Sequence, residues 1–426
     1  MKKLRNAIVK ALGALLAALL CVYNTGAEME WLRALPRELY VYDGATIESL
    51  LEPPGSIGFY KANDAEVSLS QSQTLSDVLG EGVVNAQIKL YGVLPVGGIQ
   101  LTQRDHTVVM PGGLAVGIHI VTDGLLVVGF GQFETSDGYL SPAKLSGVKA
   151  GDVIVEADSV PLKTAAQLSE IVANSTADVE LLIERGGRSM LIVARPLEDV
   201  MDGKRKLGLW IRDDTAGIGT LSMVDMTDNG YGALGHAVRD ADTGAEIQLR
   251  SGVLLKASIM GVSKSVKGTP GEIKGSFSLN DDVIGSIRAT NEFGIYGFLE
   301  EQWTNPLYPS GVELAYPEEA RLGRAQILAS VDDSGVAAYE CRIVKVYRQS
   351  ECAPRGMVIE VTDERLLDKT GGVVQGMSGS PLLQDGKLLG VVTHVLINEP
   401  AKGYCLYAYW MYKLIESSVS AAAMVG

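Results

Sequence analysis

Gly376-Met377-Ser378-Gly379-Ser380-Pro381 is the stretch on which the reading of this 426-residue chain turns. A polar turn, Gln384-Asp385-Gly386, and an apolar run over 388–395 follow it. An attacking serine needs an exposed Oγ on a tight turn and backbone N–H groups close by to receive an oxyanion. Glycines on both sides permit such a turn and the close approach of a substrate. A loop of this kind between short apolar segments predicts a mainly β scaffold with Ser378 as candidate nucleophile. The plain alternative is a Gly/Ser surface loop joining two strands.

Working outward from that loop, residues 206–426 keep the same character. Short apolar runs at 207–211, 218–224, 326–331, 336–346, 357–361, 388–396 and 404–410 alternate with Gly, Asn and Asp turns. Only the last dozen residues have helical spacing. The pattern suits an all-β barrel or a sandwich pair. Composition agrees: 49 glycines, 46% apolar and 6% aromatic residues favour turn-rich β structure over helical bundles. At this length two or three domains are expected.

The N-terminus carries Lys2, Lys3, Arg5 and Lys10 before an apolar run over 11–23. A positive segment ahead of a signal-sized apolar stretch predicts an anchor over 1–27, cleaved or retained, with the rest exported. No second stretch reaches the ~18 apolar residues that a bilayer span needs. The net charge of −14 and the lack of a later basic cluster argue against nucleic acid as a partner. Cys21, Cys341, Cys352 and Cys405 form no CxxC pair, so no zinc or redox motif is present, and no metal or cofactor is implied. A hairpin between the segments flanking Cys341 and Cys352 would make a disulfide there geometrically compatible.

Residues 28–106 read as mixed, extended structure with Pro and Gly breaks and a strand near 85–93, without an assignable compact domain. Over 107–197 the signals sharpen: apolar β-rich runs at 114–122 and 124–129, the turn SGVKAGDVI at 146–154, helical spacing at 163–173, and strands at 178–184 and 189–195 joined by Gly186-Gly187. This order, and GVKAGDVIVEADSVPLKTAAQL at 147–168, resembles a PDZ domain of the bacterial, protease-associated type. The resemblance implies binding of peptide termini and places Leu125, Val127, Gly129 and Phe130, in LLVVGFG, near the peptide-binding loop. The plain alternative is a β-rich spacer.

The frame Gly-x-Ser-Gly-x-Pro followed by a strand resembles the nucleophile loop of chymotrypsin-like proteases. That implies a double β-barrel over 198–426, Ser378 as nucleophile, and an oxyanion hole from the backbone N–H groups of Gly376 and Ser378. Such a site needs a histidine base. Of His106, His119, His236 and His394, the first two lie at or within the PDZ-like region and His394 follows the nucleophile. His236, in GYGALGHAVRDADTG at 230–244, is the expected base. Spacing leaves the orienting acid open among Asp240, Asp242, Asp281, Asp282, Asp332, Asp333 and Asp363.

VVMPGG at 108–113, GIGTLSMVD at 217–225, the segment 230–244 and the run 356–400 together resemble the stage IV sporulation protein B (SpoIVB) family of endospore-forming bacteria. The resemblance covers nearly the whole chain and implies an anchored, PDZ-containing serine endopeptidase. It matches His236 and Ser378 to the catalytic pair and Asp363, in VTDERLL, to the acidic residue. It further implies self-processing, and action between the forespore and mother-cell membranes on a membrane-bound regulator in sporulation signalling. The rival expectation is a catalytically inactive PDZ-containing envelope adaptor or scaffold.

Overall fold

The computed structural model describes residues 27–41, 46–61, 64–68, 83–103, 107–349 and 351–423. The expected anchor over 1–27 lies outside them except for its last residue. No described helix is long and apolar enough to cross a membrane.

The chain forms two compact units, and one comprises residues up to Thr107 with Tyr316–Ala320 and Tyr347–Ala353. It holds a five-stranded sheet in the order Glu38–Val41, Leu94–Gln103, Val83–Leu90, Ile57–Lys61, Asp64–Ser68, with only the first pair parallel. Alternation turns Val84, Ala86 and Ile88 inward. There they join Leu39, Val41, Phe59, Leu101 and the short helix Ile47–Leu51 in one core. So the stretch that showed no compact domain in the sequence does have its own apolar centre.

The second unit is built on two closed rings of strands. The first takes β1 (Ala115–Phe130), β2 (Leu209–Asp225), β3 (Gly230–Ala233), β4 (Leu249–Lys256), β5 (Val283–Asn291) and β6 (Gly294–Leu299). Pairings β1–β4, β4–β5, β5–β6, β6–β3, β3–β2 and β2–β1 close it, all antiparallel. Val116, Ile118, Ile120, Leu221, Tyr231, Leu254 and Ile295 fill it, each aliphatic side chain contributing about 1.5–3 kcal/mol by its burial. The second ring runs β7 (Gly323–Ala329), β8 (Ala337–Val346), β9 (Met357–Val361), β12 (Glu399–Tyr407), β11 (Lys387–Leu396), β10 (Pro381–Gln384) and back to β7. Helix α3 (Ala408–Ala423) leaves β12 and reaches ring one, where Tyr412 donates to Asp225 at 2.9 Å. Ring closure leaves few free edges, which is how the many short apolar strands avoid exposing their ladders.

Between β1 and β2 stand the strands Val153–Ala157, Val179–Arg185 and Arg188–Ala194 and helix α1 (Ala165–Asn174). Thr164 starts α1 with a capping box to Gln167. Gly186 and Gly187, at φ +56° and +74°, make the hairpin turn. These elements enclose a separate apolar cluster around Leu125, Ile154, Leu168 and Leu181.

One expectation is corrected by the pairing. The run at 114–122 belongs to ring one, because residues Ala115–Val121 pair with β2 on one side and β4 on the other. Only the second half of β1 joins the inserted elements, and Asp214–Asp225 of β2 likewise belong to the ring. Ring one therefore takes β1 from the far side of the division expected at 197, and β1 and β2 both run on from the ring into the inserted elements. Cys341 and Cys405 are free. Although β8 and β9 do pair as a hairpin, Cys341 lies buried opposite Val361.

Candidate active site

The turn carrying Ser378 is held from both rings. Thr220 of β2 donates its N–H to the Ser378 carbonyl at 3.1 Å and its Oγ1–H to the Gly376 carbonyl at 2.6 Å. From ring two, Gly379 N–H donates to the Val392 carbonyl at 2.8 Å, and Val392 N–H to that of Ser380 at 2.9 Å. Gly379, at φ +102°, is required twice over, since a Cβ there would stand 2.1 Å from the Thr220 oxygen.

Peptide planarity fixes where the remaining donors point. The Gln375 carbonyl accepts from Ile273 N–H, and the Met377 carbonyl from Ser380 N–H. In a trans peptide the N–H points opposite to its C=O. The N–H groups of Gly376 and Ser378 are thus turned away from those contacts, and neither meets an acceptor among the described residues. Two donors remain for an oxyanion.

His236 lies just after β3. Gly235, at φ +82°, packs against Thr393, where a Cβ would be 3.2 Å from Cγ2. The imidazole Nδ1 is 2.8 Å from the Ala237 carbonyl oxygen. A carbonyl only accepts, so Nδ1 carries the proton and Nε2 is left as the basic nitrogen. Burial, and secondarily the Arg239 charge, hold the imidazole below its ordinary pKa, with the Ala237 carbonyl opposing them.

His394 is a residue the sequence reading set aside because it follows the serine. Its ring centroid is 5.0 Å from that of His236, tilted by 38°. Burial first, then His236 and Arg355, push it down to about 4, so it is neutral at pH 7. The residue before it, Thr393, accepts the Ser378 hydroxyl at 2.8 Å through its carbonyl. β11 thus meets Ser378 through Thr393 and His236 through His394. The available signal was position: β11 follows the nucleophile turn after the one short strand β10, and as its hairpin partner must run back beside the turn.

Asp363 is not brought to His236. Its Oδ1 accepts from Arg365 N–H and Nε, and its Oδ2 from Glu340 N–H and Arg365 Nη2, between 2.8 and 3.1 Å. All four lone-pair directions of the carboxylate are taken. Asp363 caps helix α2 (Glu364–Thr370), and the Arg365 guanidinium holds it down at about 2. The other candidate acids are also committed elsewhere. Asp240 and Asp242 pair with Arg212, and Asp332 with Lys369. Asp281 and Asp282 accept from Ser278, and Asp333 from Ile259 N–H.

The expected peptide-binding residues are corrected as well. Leu125 and Val127 are fully buried. The second half of β1 pairs with Leu209–Arg212 of β2 on one side, as Trp210↔Gly129 and Ile211↔Val127, and with Val153–Ala157 on the other. Phe130 closes that ladder opposite Leu209. Between Leu125 and Val127 a guest strand finds no free edge. Among the described residues, the side of β2 turned away from β1 carries no strand between Leu209 and Gly219.

Residues 203–412 match the family model described as SpoIVB peptidase S55. No curated protein matches the chain. Among solved structures it is similar to the active form of the Rv3671c protease from M. tuberculosis, at 18% identity over 47% of this chain and 74% of that one, with a TM-score of 0.25. It is also similar to the HtrA-type protease AlgW with a decapeptide, at 10% identity over 52% and 58%, TM-score 0.28. A third is a thermostable serine protease, AL20, from an extremophilic microorganism, at 12% identity over 47% and 91%, TM-score 0.29. Residues 203–412 belong to the SpoIVB peptidase family S55, and the chain is a serine peptidase.

Proposed function

We propose that the chain is an exported regulatory endopeptidase of sporulation in which Ser378 attacks a peptide carbonyl and His236 is its base. The observation that carries this reading is the turn Gly376–Ser380, clamped by Thr220 and by β11, with His236 beside it and two N–H donors unspent. Nε2 of His236 takes the Ser378 proton as Oγ bonds to the carbonyl carbon. The Gly376 and Ser378 N–H groups receive the oxyanion. The imidazolium then gives its proton to the departing amine, and water repeats the cycle on the acyl-serine. The Ala237 carbonyl holds Nδ1–H in the part usually taken by a carboxylate, and neutral His394 packs beside the ring. Asp363 is left with a scaffolding role.

Membership in the SpoIVB family supports a membrane-bound regulator as substrate, and self-processing. The basic and apolar N-terminus supports an anchored protein working between the forespore and mother-cell membranes. The segment inserted between β1 and β2 receives a peptide terminus in PDZ fashion. Its free backbone edge is that of Leu209–Arg212, facing α1 through the Ala165 N–H to Asp213 bond.

A fluorophosphonate probe tests the central claim against an inert adaptor. The wild type is expected to be labelled and to cleave peptides. Ser378→Ala and His236→Ala should each lose several orders of magnitude of turnover with an unchanged circular dichroism spectrum. Equal labelling of Ser378→Ala and wild type would sink the assignment.

A further inference from the structure

Beside His236 lies a cleft of about 530 Å³. Ile118, Ile218 and Leu234 give it an apolar floor, and the β2 segment Asp214–Ile218 forms one wall. His236 lines it; neither Ser378 nor His394 does. Three charged side chains reach it. Arg212 is spent on Asp240 and Asp242, and Asp214 on His119 at 2.9 Å. Arg239 lies loosely beside Glu246 at 3.6 Å, both more than half exposed, and its Nη1 donates to the Gly244 carbonyl at 3.3 Å. The backbone of the β2 wall pairs with β1 on one side alone. In an antiparallel ladder alternate residues direct N–H and C=O to opposite sides, so a row of donors and acceptors faces the cleft.

We propose that this cleft is the subsite for the amine-side half of the substrate, that it holds that half as an added strand on β2, and that Arg239 selects an acidic side chain in it. The assignment rests on His236 being the base. The acyl half of a cleaved peptide stays on Ser378, while the amine departs with the proton delivered by His236. This cleft is lined by His236, which delivers that proton, and not by Ser378, which keeps the acyl half. The free β2 edge offers main-chain hydrogen bonds, which give affinity to any extended peptide. Arg239 is the cation whose present partner a substrate carboxylate can replace; Arg212 is not.

Acyl transfer tests the subsite directly. A peptide ester whose leaving group is a simple alcohol acylates Ser378, and dipeptide amides then compete with water for the acyl-enzyme. In aminolysis the incoming nitrogen forms the C–N bond, the ester C–O bond breaks, and the amine proton passes through His236 to Ser378 Oγ. The ratio of aminolysis to hydrolysis reads the subsite independently of the acylation rate. Wild type should favour amines carrying Asp or Glu over those carrying Lys by on the order of fivefold. Arg239→Glu should invert that order, and Arg239→Lys should restore part of it. Ester turnover lost in Ser378→Ala, together with a wild-type ratio indifferent to charge or unmoved by Arg239→Glu, would overturn the subsite alone. Ester turnover surviving in Ser378→Ala would overturn the catalytic reading and the subsite with it.

Discussion

Asp363 and His236 make opposite predictions. The Asp363 carboxylate is fully occupied by Arg365 and Glu340, so Asp363→Asn puts an amide donor against donors and should lower thermal stability by roughly 2 kcal/mol near neutral pH. Because the folded pKa is depressed to about 2 from 3.8, that stabilisation is present above the unfolded value and disappears as pH falls through about 2. Melts of wild type and variant should therefore converge in acid. The folded variant should keep ester turnover within about an order of magnitude, against the loss of about four orders expected when an orienting carboxylate is removed. For His236, burial and Arg239 favour the neutral ring, so the acid limb of kcat/KM should sit below the ordinary histidine value. Arg239→Gln should move it upward. His394→Phe should leave that limb in place, since His394 titrates near 4; its loss instead would make His394 the ionising group. The tight turn at Ser378 was legible because the flanking glycines announce it locally. Asp363 was misread because an acid's partner is chosen in space, and a neighbouring arginine two residues away outcompetes a distant imidazole.

Among the elements, β2 couples the most contacts to the site. Thr220, near its middle, is the clamp on the nucleophile turn, buried at 2% exposure. Thr220→Val keeps the shape but leaves the Gly376 carbonyl without its donor, at a cost of about 1–3 kcal/mol. The Gly376–Met377 peptide, which joins the two peptides carrying the oxyanion donors, is then less firmly held, and kcat should fall by roughly 10²-fold with little change in KM. An equal rise in KM at constant kcat would show that Thr220 shapes binding instead. The sequence displayed the motif GIGTLSMVD but not its work, because Thr220 acts on residues more than 150 positions away. It also disguised β1. Asp123-Gly124 reads as a turn dividing two runs, whereas Gly124, at φ +92°, sits in a strand that continues through it, next to an irregularity in the β2 pairing. Hence the expected edge for peptide binding fell on a strand already paired on both sides.

For the molecule as a whole, the family match and the folding unit do not coincide. Residues 203–412 lack β1, which closes ring one, so β2 and β4 each lose one of their two ring partners. A fragment of those residues should show no cooperative melt, while one starting at residue 108 should melt cooperatively. A sharp transition in the shorter fragment would mean that ring one tolerates an open seam. The β class and the presence of barrels were legible from short apolar runs between glycines. The strand that completes ring one was not, since its partners lie about a hundred residues downstream.

That separation bears on how the chain reaches its native state. The ladder joining Ala115 to Thr220 must close a loop of roughly a hundred residues, an entropic cost that slows nucleation of non-local β pairs. The intervening segment has its own apolar cluster and its own pairing of Val127 with Ile211. Once it collapses, the two long strands emerge side by side and in register, and the remaining ladder grows as a zipper. The inserted module would then act as a built-in folding template for the catalytic ring, quite apart from any peptide it binds.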